Sequence, residues 1–119
     1  MDATPLTADV APVGATAVIT LHGRIDREGE AALSAAYSEA ARLAAPVVEL
    51  DFVGVDYINS TGIALIVSLL ADARRDRREV RARGLSEHYR EIFRITRLSD
   101  YITLLEEPAV ATAGEGGRR

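Results

Sequence analysis

Asp51-Phe52-Val53-Gly54-Val55-Asp56-Tyr57-Ile58-Asn59-Ser60-Thr61-Gly62 is the stretch that decides how this chain folds. Val47 to Phe52, which leads into it, is short and apolar, the pattern of a central strand. Residues 53–59 read as a loop. Ser60-Thr61-Gly62 then opens a helix predicted from Thr61 to about Arg75. Asn59 or Ser60 is its N-cap, and Gly62 lets backbone come close. A strand that passes through a loop into a helix is half of a parallel crossover unit.

More such units lie on both sides. Ala15 to His22 reads as a strand that Gly23 ends. Asp26 is a good N-cap, with Glu28 and Glu30 suited to the positive end of a helix. That helix is predicted to run to about Leu43, with Leu33, Ala36, Tyr37, Ala40 and Leu43 on its apolar face and Pro46 beyond its end. After Arg75 come a short strand over Val80–Ala82, a helix from the Ser86 cap to about Ile95, and a last strand over Ile102–Leu105. Tyr89, Ile92, Phe93 and Thr96 share one face of that helix. The order gives an α/β layer fold with largely parallel connections. Periodicity leaves open whether the helices cover one face of the sheet or both. Residues 1–9 read as a loose start and the last six as a disordered tail, around one folded unit over roughly 10–112.

The 119 residues make one domain, with 14 cations against 18 anions and a net charge of −4. That balance argues against direct nucleic-acid binding, which wants a basic surface. All the cations are Arg, which removes lysine chemistry. The absence of Cys removes disulfides, thiolate metal sites and cysteine nucleophiles. His22 and His88 stand far apart with no partner at metal-ligand spacing, and no nucleotide-binding or nucleophile-elbow motif occurs. No cofactor is expected. Asp26, Asp51 and Asp56 read as caps and loop anchors. The longest apolar stretch, Ile63–Ala71, is far short of the roughly 20 residues a spanning helix needs. The N-terminus has no signal-peptide pattern, so no membrane insertion and a cytoplasmic location are expected. The cluster Arg74, Arg75, Arg77, Arg78, Arg81 and Arg83 offsets the negative helix end and is diluted by Asp72, Asp76 and Glu79. Its alternative use is docking an acidic partner.

Two hydroxyls at a helix start are placed to carry a phosphoryl group, because free amides and the positive dipole end receive it. A phosphate adds about −1.5 to −2 charges there, enough to alter a binding face without unfolding the domain. On the helix itself Ile63, Ile66, Val67 and Leu70 form one apolar stripe, while Ala64, Leu65 and Leu69 fall largely outside it. Either other elements wrap this helix or its second face is a partner surface.

Asp51-x-x-x-Val55-x-x-Ile58-Asn59-Ser60-Thr61-Gly62-Ile63 resembles the signature of STAS domains, particularly bacterial anti-sigma factor antagonists. Theirs reads roughly Asp-Leu-Ser-x-Val-x-x-Met-Asp-Ser-Ser/Thr-Gly-Leu. Leu21-x-Gly23-Arg24-Ile25-Asp26 is similar to the family's Leu-x-Gly-x-Leu-Asp, and Phe93 to Leu98 to its Phe-x-x-x-x-Leu segment. The resemblance covers about residues 10–106. It implies an α/β STAS fold: a four- to five-stranded mixed β-sheet, helices packed mainly on one face, and a first strand near Thr7–Val13. The single domain would span 7–112, with flexible termini over 1–6 and 113–119.

The resemblance further implies a regulatory protein, not an enzyme. Such a protein binds an anti-sigma factor that is also a serine-threonine kinase and so promotes sigma-factor release. The kinase phosphorylates the position of Ser60, the phosphorylated form lets go, and a metal-dependent serine phosphatase restores binding. The docking surface would comprise Asp26, Asn59, Ser60, Thr61, Gly62, Leu65 and Leu69 on a monomer or weak dimer. Thr61 is expected to turn back to the helix start or the core. Asn59 stands where the family usually has Asp. It keeps the cap but loses a charge, which lessens repulsion against a phosphate and removes a contact for a kinase. The alternative is a STAS scaffold subunit of a signalling or transport complex that acts without phosphorylation. A small enzyme with Ser60 as nucleophile lacks a nearby base and an oxyanion motif.

Overall fold

A computed structural model describes residues 4–105. β1 (Thr7–Val13) pairs antiparallel with β2 (Thr16–Ile25), and a 3₁₀ turn at Arg27–Gly29 leads into α1 (Glu30–Arg42). β3 (Val47–Ile58), α2 (Ser60–Arg75), β4 (Glu79–Arg83), α3 (Glu87–Ile95) and β5 (Thr103–Leu104) follow. The sheet order is β1-β2-β3-β4-β5, with every pair after the first parallel. This is a five-stranded mixed sheet, as the family resemblance implies.

Strand alternation explains where the helices go. Ala17, Ile19, Leu21 and Ile25 of β2, Val48, Leu50 and Phe52 of β3, and Val80 and Ala82 of β4 are all buried on one face. α1, α2 and α3 cover that face, with Phe93 of α3 edge-on to Phe52. The opposite face carries Thr20, His22, Asp51 and an Arg83–Glu49 ion pair at 2.8 Å. Parallel strands need long crossovers, and here each is a helix returning across the covered face.

The sequence-based reading is corrected at several places. β2 does not stop at Gly23 but runs to Ile25, and the loop expected over 53–59 is strand as far as Ile58. The register shifts opposite Thr20–His22 and Gly23–Arg24 each put an extra residue into β3 and break its period-two pattern, while β2 keeps its alternation through to Ile25. Gly23 has φ +99°, and a Cβ on it would meet the carbonyl oxygens of Thr4 and Pro5. Asp26 caps the 3₁₀ turn rather than the α-helix, which starts at Glu30. Leu43, expected on the apolar face of α1, lies past its end and is exposed.

Within the stretch read as a loose start over 1–9, the described residues are held from Thr4: its carbonyl accepts the Arg24 amide at 2.9 Å, Pro5 bridges Arg24, and Leu6 is buried. Thr4–Leu6 therefore do not form part of a flexible terminus. The tail expected over 113–119 and the domain end at 112 lie outside the described residues. At the far end of the sheet Tyr37 donates to Asp76 Oδ2 at 2.7 Å and Arg78 donates to the Ala45 and Ala41 carbonyls, joining the carboxyl ends of α1 and α2. Burial, then the bond to Asp76, pushes the Tyr37 hydroxyl up to about 12. Among the described residues no helix is long and apolar enough to cross a membrane.

Candidate functional site

β2 and β3 end side by side, with Ile25 opposite Ile58 and the Asn59 amide donating to the Ile25 carbonyl at 3.2 Å. Both chains then turn into helical segments at the carboxyl edge of the sheet, a place where α/β folds build binding sites. Asp26 accepts from the Glu28 amide at 3.0 Å and from the Arg24 guanidinium at 2.7 Å. Arg24 also reaches Glu28 at 3.3 Å. The bond to Asp26 holds the Arg24 pKa above its ordinary value.

Asn59 is the N-cap of α2: its Oδ1 accepts from the Gly62 amide at 2.8 Å, and its carbonyl accepts the first helical bond from Ile63 at 2.9 Å. Gly62 is buried, and a Cβ on it would strike the Ile25 carbonyl and come within 3.0 Å of Ile58 Cγ2. Glycine is thus what lets α2 start directly against β2. Ser60 is the first residue of α2 and is exposed, and the first turn of α2 holds no acid. Since Asn59 does the capping, the Ser60 hydroxyl is left to solvent.

Asp26, Asn59, Ser60, Thr61 and Gly62 therefore meet at one edge, where the turn after Asp26 lies against α2. Thr61 is exposed rather than turned to the core. Leu65 is half-buried in the groove between α1 and α2. Leu69 is not on a partner face: it is only 4% exposed. The inward arc of α2 runs through Ile66, Leu69, Leu70 and Ala73, because the helix packs on α1 as well as on the sheet, and Val67 turns outward at 44%.

Two contributors escaped the sequence-based reading. Arg24 closes the Asp26 turn. Tyr89 of α3 takes the Ile58 amide on its hydroxyl at 3.0 Å and fixes α3 to the end of β3. A tyrosine on a packed helix face needs a partner for its hydroxyl, and that was the available signal. Val53 and Tyr57 on the extended part of β3 are exposed beside this edge. Asp51 bonds the Val53 amide at 3.0 Å, the anchoring role expected of it. Arg75, Arg81 and Arg83 pair with Asp72, Glu79 and Glu49, so the arginine cluster is largely engaged internally. Among the described residues no group of acids or histidines is placed to hold a metal.

The fold is shared with solved structures. An anti-sigma factor antagonist from Mycobacterium paratuberculosis matches with a TM-score of 0.69 at 21% identity, over 89% of this chain and 90% of that one. The Bacillus cell fate determinant SpoIIAA in its phosphorylated form gives 0.65 at 19% identity, over 88% and 96%. Unphosphorylated SpoIIAA gives 0.66 at 18%, over 84% and 88%. No curated protein matches the chain significantly. A family model described as Mlab, STAS domain, matches residues 8–106. With that match over most of its length, the chain belongs to the STAS domain family.

Proposed function

We propose that this chain is a regulatory docking module of the anti-sigma factor antagonist kind, without enzymatic activity of its own. It binds an anti-sigma factor that is also a serine-threonine kinase, and so promotes release of a bacterial sigma factor in the cytoplasm. Phosphorylation of Ser60 ends the interaction, and a metal-dependent serine phosphatase restores it. The observation that carries this reading is the exposed Ser60 hydroxyl at the amino end of α2, beside Asp26, with the cap supplied by Asn59. A phosphate there gains about 0.3–1 kcal/mol from the helix dipole, so the fold tolerates it. In an interface the same charge and bulk cost far more through repulsion and desolvation. The docking surface is Asp26, Asn59, Ser60 and Thr61, with Leu65 at its margin and the buried Gly62 holding it from beneath. The chain works as a monomer or weak dimer.

Incubation with a candidate anti-sigma factor kinase and ATP, followed by phosphosite mapping, tests this. Phosphate on Ser60 together with lost affinity is the expected result. Phosphate confined to Thr61 contradicts it. Asn59, in place of the family's acid, favours a second reading in which the chain is an unphosphorylated scaffold subunit of a signalling or transport complex. In that case kinase treatment leaves the mass unchanged.

A further inference from the structure

A second surface lies away from Ser60, between the carboxyl half of α2 and the corner that follows α3. Val67, Leu70, Leu98 and Tyr101 line a groove of about 340 Å³, with Arg74 and Arg97 beside them. Its volume is at the small end of ligand sites and suits a few inserted side chains. Val67 and Tyr101 are 44% and 56% exposed, a concentration of apolar surface that a polar exterior does not require. Arg74 holds its guanidinium 5.3 Å from the Tyr101 ring centre and makes no carboxylate pair among the described residues. Arg97 pairs with Asp100 at 2.9 Å. On a chain of net charge −4, this groove is apolar with Arg74 as the cation at its margin, since Asp100 offsets Arg97.

We propose that the groove docks an amphipathic helix of a protein partner whose apolar stripe is flanked by carboxylates. Apolar side chains at helical spacing fill the space over Leu70 and Leu98, and the acidic flank meets Arg74. Charge complementarity selects this occupant, since a basic helix meets Arg74 with like charge. Val67 to Arg74 lie roughly 10–21 Å along α2 from Ser60 at the helical rise. The groove therefore stays occupied whether or not Ser60 is modified, giving the domain a constant contact beside a switched one.

The test titrates the isotope-labelled full chain with two synthetic 18-residue amphipathic helices sharing one leucine stripe, one flanked by Glu and one by Lys. The Glu peptide is expected to shift the resonances of Val67, Leu98 and Tyr101 and to bind about fivefold more tightly than the Lys peptide, a modest attraction to Arg74 in one case and a modest repulsion in the other. Arg74→Glu, on an exposed side chain, reverses that preference while the chain stays folded. Ser60→Asp leaves it intact, which keeps this surface distinguishable from the Ser60 switch. Equal binding of both peptides, shifts confined elsewhere, or no effect of Arg74→Glu overturns the proposal. So does self-association through Val67 and Tyr101, which makes a second copy the occupant. Shifts of the same residues on deletion of 106–119 overturn it in favour of the chain's own tail.

Discussion

The two ends of α2 are built on opposite rules. At its carboxyl end side chains tie helix to helix: Tyr37 donates to Asp76, and Arg78 donates to the carbonyls of Ala41 in the last turn of α1 and of Ala45 beyond it. At its amino end the backbone is held as tightly, by Asn59 and by the contact of Gly62 with Ile25, yet the hydroxyls of Ser60 and Thr61 face solvent. One end locks helix to helix. The other holds a helix start firmly and leaves its first side chains free. Rigid support under uncommitted groups is what a recognition edge needs.

Substitution at Gly62 separates the two ends most sharply. Gly62→Val drives a side chain into the Ile25 carbonyl, and we expect a loss of about 3 kcal/mol in denaturant unfolding. Partner binding should fall with it. If stability drops and binding is untouched, the amino end is structural only. Tyr37→Phe should cost about 1.5–2 kcal/mol, since a bond to a charged acceptor is lost, and leave binding unchanged.

The same tyrosine gives a pH signature. Its folded pKa, about 12, lies above the ordinary 10.0, so the folded state keeps the proton longer. Its contribution is complete below pH 10 and is lost as pH rises towards 12. The wild type should therefore lose more stability than Tyr37→Phe over that interval. Parallel curves remove the clamp from the explanation.

Asn59→Ala should cost about 1 kcal/mol as the cap of α2 is lost, whereas Asn59→Asp keeps the cap and should sit within about 0.5 kcal/mol of wild type. At the other end Ala44, with φ +56°, follows the close of α1 in a left-handed conformation. Ala44→Gly should stabilise by about 0.5–1 kcal/mol, with no effect on the Ser60 edge. A destabilised glycine variant means that the Ala44 methyl packs usefully.

How far the sequence speaks differs between these regions. The Asn59 cap, the Ser86 cap of α3 and the close approach at Gly62 follow from local chemistry, and the structure places all three. The outer half of β3 did not read as strand, because its register against β2 shifts and Gly54 sits against the His22 ring. β1 was reached only through the family resemblance. As an edge strand it buries one face lightly and tolerates Pro12, so its pattern is weak. Leu69 was assigned outward because its burial depends on α1, which α2's own periodicity cannot report. The Arg24–Asp26 pair depends in the same way on a turn geometry that composition does not encode.

The central claim, that the amino end of α2 is a phosphate-switched docking edge on an unaltered fold, is tested most directly by calorimetry on two variants. Ser60→Ala and Ser60→Asp are titrated against the anti-sigma factor kinase identified by phosphosite mapping, with thermal unfolding recorded for each. Ser60→Ala is expected to bind as tightly as the unphosphorylated wild type and Ser60→Asp at least tenfold more weakly, with unfolding within about 0.5 kcal/mol of each other. Equal affinities for the two equally stable variants contradict the switch and leave Ser60 as nothing more than the first residue of a helix.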